Sequence, residues 1–414
     1  MTENYESYLL KENPFPQVAI VDPGKSDIRV NGTIFREEIL SEEVSALRDK
    51  IDKKTAMIYV AGLKFDKGIG KSALMVHQWR RLWSKPNTTS VLVRCNPKDR
   101  STDLALAIVK KWHDSNYIWE ATHRLFTRFA RERNDVRVSS DSIDMMFNAY
   151  QRPPEKLPLT LYTHVSSPER LAKSMAEWAS SLGSQLSPLF LEQFFGLYLT
   201  KPAELPGKIG KFKTREIDEI GVYANLLELL FQSGFLENFI FLDQLEDAIM
   251  PCPAGRIGEF CLDMKRMIEA GIGRTVTVVT LHPDSEMKLD TQAAQHLLKI
   301  APLDSAHRVD VIALEVTGNE TLDLAADYMN HFRVGPPAYP TWPLHPDVIR
   351  YVSFLKDGNI RGILQQLHEC LKFAASNGNP EITLDYVLEH HEGTLGALKN
   401  PDLYEEFRRK VQQP

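Results

Sequence analysis

The sequence predicts an α/β fold, in which a parallel β-sheet is covered by helices on both of its faces. Short apolar runs rich in β-branched residues recur between residues 56 and 281, and segments with helical periodicity separate them. Strands that are apolar along their whole length are typical of a sheet buried on both sides, and alternation with helices is typical of parallel sheets. After about residue 305 only the helical periodicity continues, which predicts a separate C-terminal α-helical domain.

The bulk composition is that of an ordinary globular protein. The chain has 414 residues, of which 43% are hydrophobic and 25% charged, and this length predicts two or three structural units. The formal net charge of −6 gives no global attraction to nucleic acid or anionic membrane, so DNA contact would need a local basic patch. No apolar run approaches the ~18–20 residues of a bilayer span, and the N-terminus lacks the pattern of a signal peptide. We therefore expect a cytoplasmic protein with no membrane contact.

The four cysteines are Cys95, Cys252, Cys261 and Cys370. None of them forms a CxxC pair, and their spacing matches neither a disulfide framework nor a zinc site. We interpret them as reduced, mostly buried thiols.

Residues 1–36 are predicted to form a lead-in to the first domain. Residues 11–35 within it are rich in Pro, Gly and Asn, a composition that favours extended segments and turns. Residues 37–53 then predict an amphipathic helix, because their apolar residues recur at roughly helical spacing with charges between them. These apolar residues are Ile39, Val44, Leu47 and Ile51.

Residues 37–305 are predicted to form the α/β domain. Its four buried strands are expected at residues 56–60, 89–95, 236–242 and 275–281. The chain between the second and third strands is far longer than a usual crossover, which predicts a helical insertion at about residues 105–232, with an extra strand at 159–165. The helical patterns around and within it cover residues 101–114, 119–133, 167–181, 188–199 and 216–231.

Residues 306–392 are predicted to form an α-helical lid domain, and residues 393–414 a tail with a charged helix over 400–412. The lid contains a proline-rich turn at 335–343. Its helical patterns cover residues 306–316, 319–333, 345–356, 359–375 and 383–391.

A glycine-rich turn lies between the first strand and a helix. This order suits phosphate binding, because glycines let backbone N–H groups converge on phosphate oxygens and a helix N-terminus adds a positive dipole end. Lys71 would reach the β- and γ-phosphates, and the Ser72 hydroxyl would bind Mg²⁺. The predicted nucleotide contacts are Gly68, Ile69, Gly70, Lys71, Ser72 and Ala73.

The turn departs from the full G-x-x-x-x-G-K-[ST] pattern of a phosphate-binding loop. Phe65 stands where the first glycine is expected, and Gly62 comes three residues too early. Either the loop has an insertion within Lys64–Lys67, or Phe65 is tolerated at the turn. The competing interpretation is an ordinary glycine turn before a helix.

A phosphate-binding loop needs a second element, an acidic residue at the end of an adjacent apolar strand that holds Mg²⁺ through water. Four apolar residues ending at Asp243 resemble this Walker B motif. The Glu that usually follows, and that polarises the attacking water, is replaced by Gln244. Glu246 and Asp247 are then the candidates for the base, which must lie within one water of the γ-phosphate.

This ordered set of motifs resembles the AAA+ and STAND-type P-loop ATPases, nearest to the initiator, loader and transposition-regulator branch. The residues NPFP and the stretch Arg29–Phe35 resemble the adenine-contacting region of that family. The strand ending in Thr280 resembles sensor 1, a role for which His282 competes as an alternative to a capping histidine. The run Leu297–Leu303, followed by His307 and Arg308, resembles the strand that leads into the lid.

The sequence GNIR, which ends at Arg361, resembles the sensor 2 signature, whose arginine reaches from the lid to the nucleotide. An arginine finger for a neighbouring subunit is implied as well, with Arg308, Arg266 and Arg274 as candidates.

The resemblance implies a P-loop ATPase of the AAA+ type that uses ATP and Mg²⁺. It further implies a homo-oligomer that assembles with ATP and acts in DNA transactions, such as DNA modification, anti-phage defence or transposition regulation, with DNA or a DNA-processing protein as partner. Gln244 predicts slow hydrolysis. An alternative of a different class is a nucleotide-gated signalling or scaffold protein that binds ATP with little hydrolysis. A protein-remodelling ATPase would need an aromatic pore loop, for which the sequence offers no convincing candidate.

Two basic segments are candidates for DNA contact. The loop Lys201–Arg215 holds five cationic residues. Arg124, Arg128 and Arg131 recur on one face of a predicted helix, where a solvated helix face is the preferred interpretation.

Overall fold

The computed structural model describes residues 3–62, 68–96, 99–133, 167–183, 186–208, 212, 217–312, 319–396 and 401–411. It confirms an α/β fold built on a five-stranded parallel sheet of strand order β2-β3-β4-β1-β5. The strands are β1 (Met57–Gly62), β2 (Thr88–Arg94), β3 (Glu237–Asp243), β4 (Thr275–Leu281) and β5 (Arg308–Val311).

The α-helices of the described ranges are numbered in chain order. They are α1 (Ser41–Asp52), α2 (Lys71–Trp83), α3 (Ser101–Asp114), α4 (Tyr117–Glu132), α5 (Pro168–Ser180), α6 (Pro188–Thr200), α7 (Leu205–Lys208), α8 (Glu219–Gln232), α9 (Leu245–Ile249), α10 (Ala254–Ala270), α11 (Pro283–Leu289), α12 (Gln295–Leu298), α13 (Glu320–Phe332), α14 (Pro346–Leu355), α15 (Ile360–Asn377), α16 (Leu384–Glu389), α17 (His391–Thr394) and α18 (Pro401–Val411).

The strands pair as their composition predicts. Every residue of β1 and β4, and all but the first of β3, is buried, as expected for strands covered on both faces. In the parallel pair β2–β3, Val91 lies beside Ile240. The four strands predicted from sequence are confirmed, with ends shifted by one or two residues.

The fifth strand corrects the prediction of a helix over 306–316. Val309 and Val311 of β5 are buried, whereas Arg308 and Asp310 are partly exposed. This alternation has the period of a strand, but four residues are too few for the pattern to be separated from a helical one. The strand that precedes the C-terminal helices is therefore β5. The apolar run Leu297–Leu303, expected to be that strand, instead continues from the end of α12 into turns.

Between β2 and β3, where a helical insertion was predicted at about residues 105–232, the described residues contain the helices α3 to α8. Serine caps begin two of these helices: the hydroxyls of Ser167 and Ser187 accept hydrogen bonds from backbone N–H groups in the first turns of α5 and α6. Proline at the first helical position fixes the backbone angle that each helix needs. The extra strand predicted at 159–165 lies outside the described residues.

The chain divides into two compact units. The first unit comprises Met1–Arg48, Val60–Gln78 and Val309–Pro414; the second comprises Asp49–Tyr59 and Trp79–Arg308. Each has its own apolar core: the core of the first contains buried residues of the lead-in and of α13 to α18, and that of the second contains β2, β3 and the insertion helices.

Within the first unit, the lead-in packs on the C-terminal helices. The Tyr8 hydroxyl donates to the Asn379 carbonyl over 2.5 Å, and His368 on α15 hydrogen-bonds to the Phe15 carbonyl over 2.8 Å. Arg36 pairs with Asp327 of α13 over 2.8 Å. The lead-in is therefore an integral part of this unit. No helix in the described ranges combines the length and apolar character needed to cross a membrane.

Candidate functional site

The glycine loop, Gly68–Ser72, belongs to the first unit. Gly68 and Gly70 have φ angles of 108° and 106°. L-residues that carry a side chain rarely adopt such angles. A Cβ at Gly68 would lie 2.5 Å from the Arg361 Cβ and 2.7 Å from the Asn359 Oδ1. A side chain at this position is therefore excluded by conformation and by contact with the start of α15.

Lys71 and Ser72 form the first turn of α2, directly after the glycines. The Gly70 carbonyl accepts the first backbone hydrogen bond of the helix, from Leu74 N–H over 2.9 Å. Lys71 is only 8% exposed, which is unusual for a lysine and has a cost unless its charge is compensated. A buried cation at a helix N-terminus is the arrangement that an anion stabilises. The irregular stretch around Phe65 lies outside the described residues.

The GNIR sequence meets this loop. Asn359 caps α15, its side chain accepting a hydrogen bond from Gly362 N–H over 3.0 Å. The backbone N–H of Arg361 donates to the Gly68 carbonyl over 3.1 Å, and its Nε donates to the Ala19 carbonyl over 3.0 Å. Arg361 thus joins the glycine loop to the lead-in within one unit.

A cluster that the sequence did not suggest holds the lead-in against α2. The His77 ring stacks on Phe35 with centroids 4.4 Å apart, and its Nε2 lies 2.7 Å from the Glu37 Oε1. Arg48 also donates to Glu37. The hydrogen bond from Arg48, and then that from His77, lowers the pKa of Glu37 below its ordinary value. The signal in the sequence, a histidine on the helix that follows the glycine loop, is too common to be predictive.

The acidic cluster comprises Asp243, Gln244, Glu246 and Thr280 and lies in the second unit. Asp243 ends β3 and is 5% exposed; Glu246, at the start of α9, is also buried. The Thr280 hydroxyl lies 3.4 Å from the Asp243 Oδ1 and 3.3 Å from the Glu246 Oε2, and its single proton can be donated to either carboxylate. The structure therefore brings together two carboxylates and the hydroxyl predicted for sensor 1.

Gln244 turns away from these carboxylates. Its φ and ψ of 60° and 39° are left-handed, a strained conformation for a residue other than glycine. Its backbone N–H donates to the Thr280 hydroxyl over 2.6 Å, while its side-chain carbonyl accepts from Arg94 Nε over 2.8 Å. The left-handed conformation of Gln244 changes the direction of the chain between β3 and α9. Glu246, two residues later, then lies within reach of Thr280.

The strand order corrects one expectation. The acidic strand was predicted to be adjacent to the strand before the glycine loop, but β4 lies between β1 and β3. Thr280 is therefore on the intervening strand. Burial, and then the charge of Asp243, raises the pKa of Cys95 well above its ordinary value, so this thiol stays protonated beside the cluster.

The competing sensor residue has a capping role. The ring Nδ1 of His282 accepts from Asp284 N–H over 3.4 Å, at the start of α11.

Each candidate arginine finger is held in an ion pair within the second unit. Arg308 pairs with Glu286, Arg266 with Asp218 over 2.7 Å, and Arg274 with Glu228 over 3.1 Å.

The basic segments are also paired in large part. On α4, Arg124 pairs with Glu120 and Arg128 with Glu132, while the apolar face of the helix is buried, in agreement with the preferred interpretation. In the predicted basic loop, Lys201 and Lys208 both bind Glu204. The remaining cations of that loop lie outside the described residues.

Among the described residues, no group of three or more His, Cys, Asp or Glu side chains is arranged to hold a metal ion. Comparison of the chain with protein-family models, with curated proteins and with solved structures finds no match.

Proposed function

We propose that this protein is an ATP-binding P-loop ATPase of the AAA+ type. The observation that carries the proposal is the glycine loop, where a buried lysine at the start of a 13-residue helix follows two glycines of positive φ. In this proposal Lys71 binds the β- and γ-phosphates and Ser72 contacts Mg²⁺. The backbone from Gly68 to Ala73 supports the phosphates, because their negative charge is stabilised at a helix N-terminus.

The acidic cluster supplies the groups for metal binding and hydrolysis in this proposal. Asp243 is assigned to Mg²⁺, which is commonly held by one or two carboxylates and several waters. Glu246 is assigned as the base, because its carboxylate reaches Thr280 whereas Gln244 turns to Arg94. Bound ATP would supply the phosphoryl group, and the chain would position and deprotonate water at the Glu246 Oε2.

Lys71→Ala tests nucleotide binding directly. We expect the full-length protein to bind ATP with Mg²⁺, and Lys71→Ala to weaken binding by roughly 10- to 100-fold, since a hydrogen bond to a charged group is worth about 1.5–3 kcal/mol. Lys110→Ala is the matched control, because Lys110 is an exposed lysine on α3. Titration calorimetry measures both. Equal affinity of Lys71→Ala and wild type would show that the site is elsewhere.

A nucleotide-gated signalling or scaffold protein is the second candidate. It is favoured by Gln244, whose side chain cannot act as a base and is bound to Arg94. The two candidates differ in turnover: the ATPase releases phosphate at a rate that Lys71→Ala abolishes, whereas the scaffold retains ATP without releasing phosphate. Phosphate release under single-turnover conditions, with and without duplex DNA, distinguishes them.

ATP-dependent assembly into a homo-oligomer, in the service of a DNA transaction, is the wider part of the proposal. It rests on the family resemblance of the motifs. An arginine finger would have to leave its present ion pair, such as that of Arg308 with Glu286. Light scattering with and without ATP and DNA tests assembly, and a monomer under every condition would exclude it.

A further inference from the structure

Three large apolar side chains are exposed at one edge of the sheet in the second unit. Trp83, Leu236 and Ile272 are 57%, 66% and 63% exposed. Trp83 ends α2 before β2, Leu236 directly precedes β3, and Ile272 lies in the turn before β4. Since β2, β3 and β4 are neighbouring parallel strands, their amino-terminal ends lie at the same edge.

Backbone contacts show how close these segments are. The N–H of Leu236 donates to the Asn87 carbonyl over 2.8 Å, and the N–H of Asn238 donates to the Arg274 carbonyl over 2.9 Å. Neighbouring strands are about 4.8 Å apart, so the starts of β2, β3 and β4, which these three residues precede, lie within roughly 10 Å of one another. Such a group of exposed apolar residues is typical of an interaction site.

The same edge is positively charged towards solvent. Lys54 and Lys85 share one carboxylate, that of Glu237, at 3.2 and 2.5 Å. Both lysines are about half exposed while Glu237 is largely buried. Burial alone would raise the pKa of Glu237, but the two lysines lower it. Two cations on one carboxylate leave a net positive charge at the surface.

Arg274 lies two residues after Ile272, and its charge is offset by Glu228. Its guanidinium lies 3.8 Å from the centroid of the Phe231 ring and pairs with Glu228, which is much more buried than the arginine. We call Trp83, Leu236, Ile272, Lys54, Lys85 and Arg274 the amino-edge face.

We propose that the amino-edge face binds an acidic segment of a partner protein that carries large apolar side chains. Its cations complement acidic residues, and its apolar residues can be covered by the partner's apolar ones. Nucleic acid fits less well, because two of the three apolar residues of the face, Leu236 and Ile272, are aliphatic, and Trp83 alone among the three offers a ring on which a base could stack. A second copy binding through the same face is disfavoured, because a two-fold contact would bring two faces that each carry Lys54 and Lys85 together, without an excess of acidic residues on either side.

This face is separate from the acidic cluster. It lies at the start of β3, whereas Asp243 ends that strand six residues later, roughly 20 Å away. The proposal therefore does not depend on ATP binding.

Binding of a fluorescein-labelled peptide to the full-length protein tests the proposal. The probe is a 12-residue peptide that alternates Glu or Asp with Leu or Phe. The control peptides replace either the acidic residues by Lys or the apolar residues by Ser, and a single-stranded oligonucleotide is tested in parallel. We expect anisotropy to show binding of the acidic apolar peptide alone, weakened by added salt because the charges are exposed.

Variants of the face and matched controls locate the binding. We expect Lys54→Glu/Lys85→Glu to weaken peptide binding about tenfold or more, and Lys110→Glu/Lys111→Glu, which makes the same charge change on α3, to leave it unchanged. Leu236→Ser/Ile272→Ser keeps the charges and is expected to weaken binding as well, whereas Met287→Ser at another exposed site has no effect.

Circular dichroism confirms that each variant is folded. The proposal is overturned if the acidic apolar peptide binds no better than the control peptides, or if the face variants and control variants bind it equally. It is also overturned if these variants lose binding of the oligonucleotide instead, or if they abolish self-association seen by light scattering.

Discussion

The glycine loop and the acidic cluster are held in place by different kinds of contact. The loop is fixed by backbone: Gly68 has a positive φ, leaves no space for a Cβ and accepts a hydrogen bond from Arg361 N–H. The acidic cluster is fixed by side chains, since the Thr280 hydroxyl contacts both Asp243 and Glu246. Substitutions that add a side chain should therefore disturb the glycine loop, and substitutions that remove a polar group should disturb the acidic cluster.

The largest expected effect is on turnover, through Glu246. If its carboxylate is the base, Glu246→Gln removes it at nearly constant volume, and we expect kcat to fall roughly 100- to 10,000-fold. The affinity for ATP should change little, because the phosphate contacts are assigned to the glycine loop. Phosphate release and titration calorimetry separate the two effects.

Asp247→Asn is the matched control for Glu246→Gln, because Asp247 follows Glu246 on α9 and was the other candidate base. If Asp247→Asn lowers kcat and Glu246→Gln does not, the assignment is wrong. Gln244→Glu should fail to raise kcat, because Arg94 would hold the new carboxylate as it holds the amide.

The second prediction concerns the loop. Gly68→Ala should lower the free energy of unfolding by about 1–3 kcal/mol from backbone strain alone, with a further loss from contact with Arg361 and Asn359. We expect weaker ATP binding as well. Gly378→Ala is the control: Gly378 also has a positive φ, at the end of α15, but an added Cβ there meets nothing within 4 Å.

The difference between these two alanine variants reports the contact with the start of α15 together with the less favourable φ of Gly68, 108° against 69° at Gly378. Denaturant unfolding and ATP titration of both variants measure it. If Gly68→Ala is no worse than Gly378→Ala in either measurement, the loop is not locked by that contact.

The glycine loop could be predicted from the sequence more completely than the acidic cluster, because its pattern is local. Glycines before Lys71, and an apolar run ending at Asp243, are local patterns, and the strands and helices around them were predicted to within a few residues. The contact of Thr280 with Glu246 joins residues far apart in the chain and depends on the left-handed turn at Gln244, which no local pattern requires.

Two further features escaped prediction for physical reasons. The strand β5 has four residues, too short for its alternation to be distinguished from helical periodicity. The contact of His77 with Glu37 depends on where the lead-in packs, because neither residue belongs to a motif. The roles of ATP and Mg²⁺ remain predictions from the motifs and their chemistry.

The third prediction tests the hydrogen bonds of the acidic cluster. Thr280→Val keeps the shape of the side chain but leaves the Gln244 N–H without the hydroxyl that it binds over 2.6 Å. A buried polar group without a partner costs about 1–3 kcal/mol, and we expect this loss in unfolding free energy together with a roughly tenfold lower kcat. Thr280→Ser restores the hydroxyl and should recover most of both. Equal defects in Val and Ser variants would contradict a role for the hydroxyl.

The smallest expected effect is the pH dependence of the contacts of Glu37, the residue that directly follows the lead-in. Its pKa is lowered by Arg48 and His77, so the folded state binds its proton less readily than the unfolded state. The resulting stabilisation is fully present above pH 4.5, the ordinary pKa of the group, and is lost as pH falls through the lower folded-state pKa. Because Glu37 is partly exposed, solvent screening limits the contribution to less than about 1 kcal/mol.

Glu37→Gln should therefore destabilise the protein slightly at pH 7, and its difference from wild type should shrink as pH falls below 4.5, the ordinary pKa of Glu37. Glu38→Gln makes the same charge change at the neighbouring exposed residue and should show no such pH dependence. Denaturant unfolding at several pH values measures both variants. The difference in stability between Glu37→Gln and wild type could instead persist unchanged at low pH. That outcome would mean that Glu37 acts through packing and not through its charge. Its contacts would then resemble those of the glycine loop, which is held by close packing of the backbone.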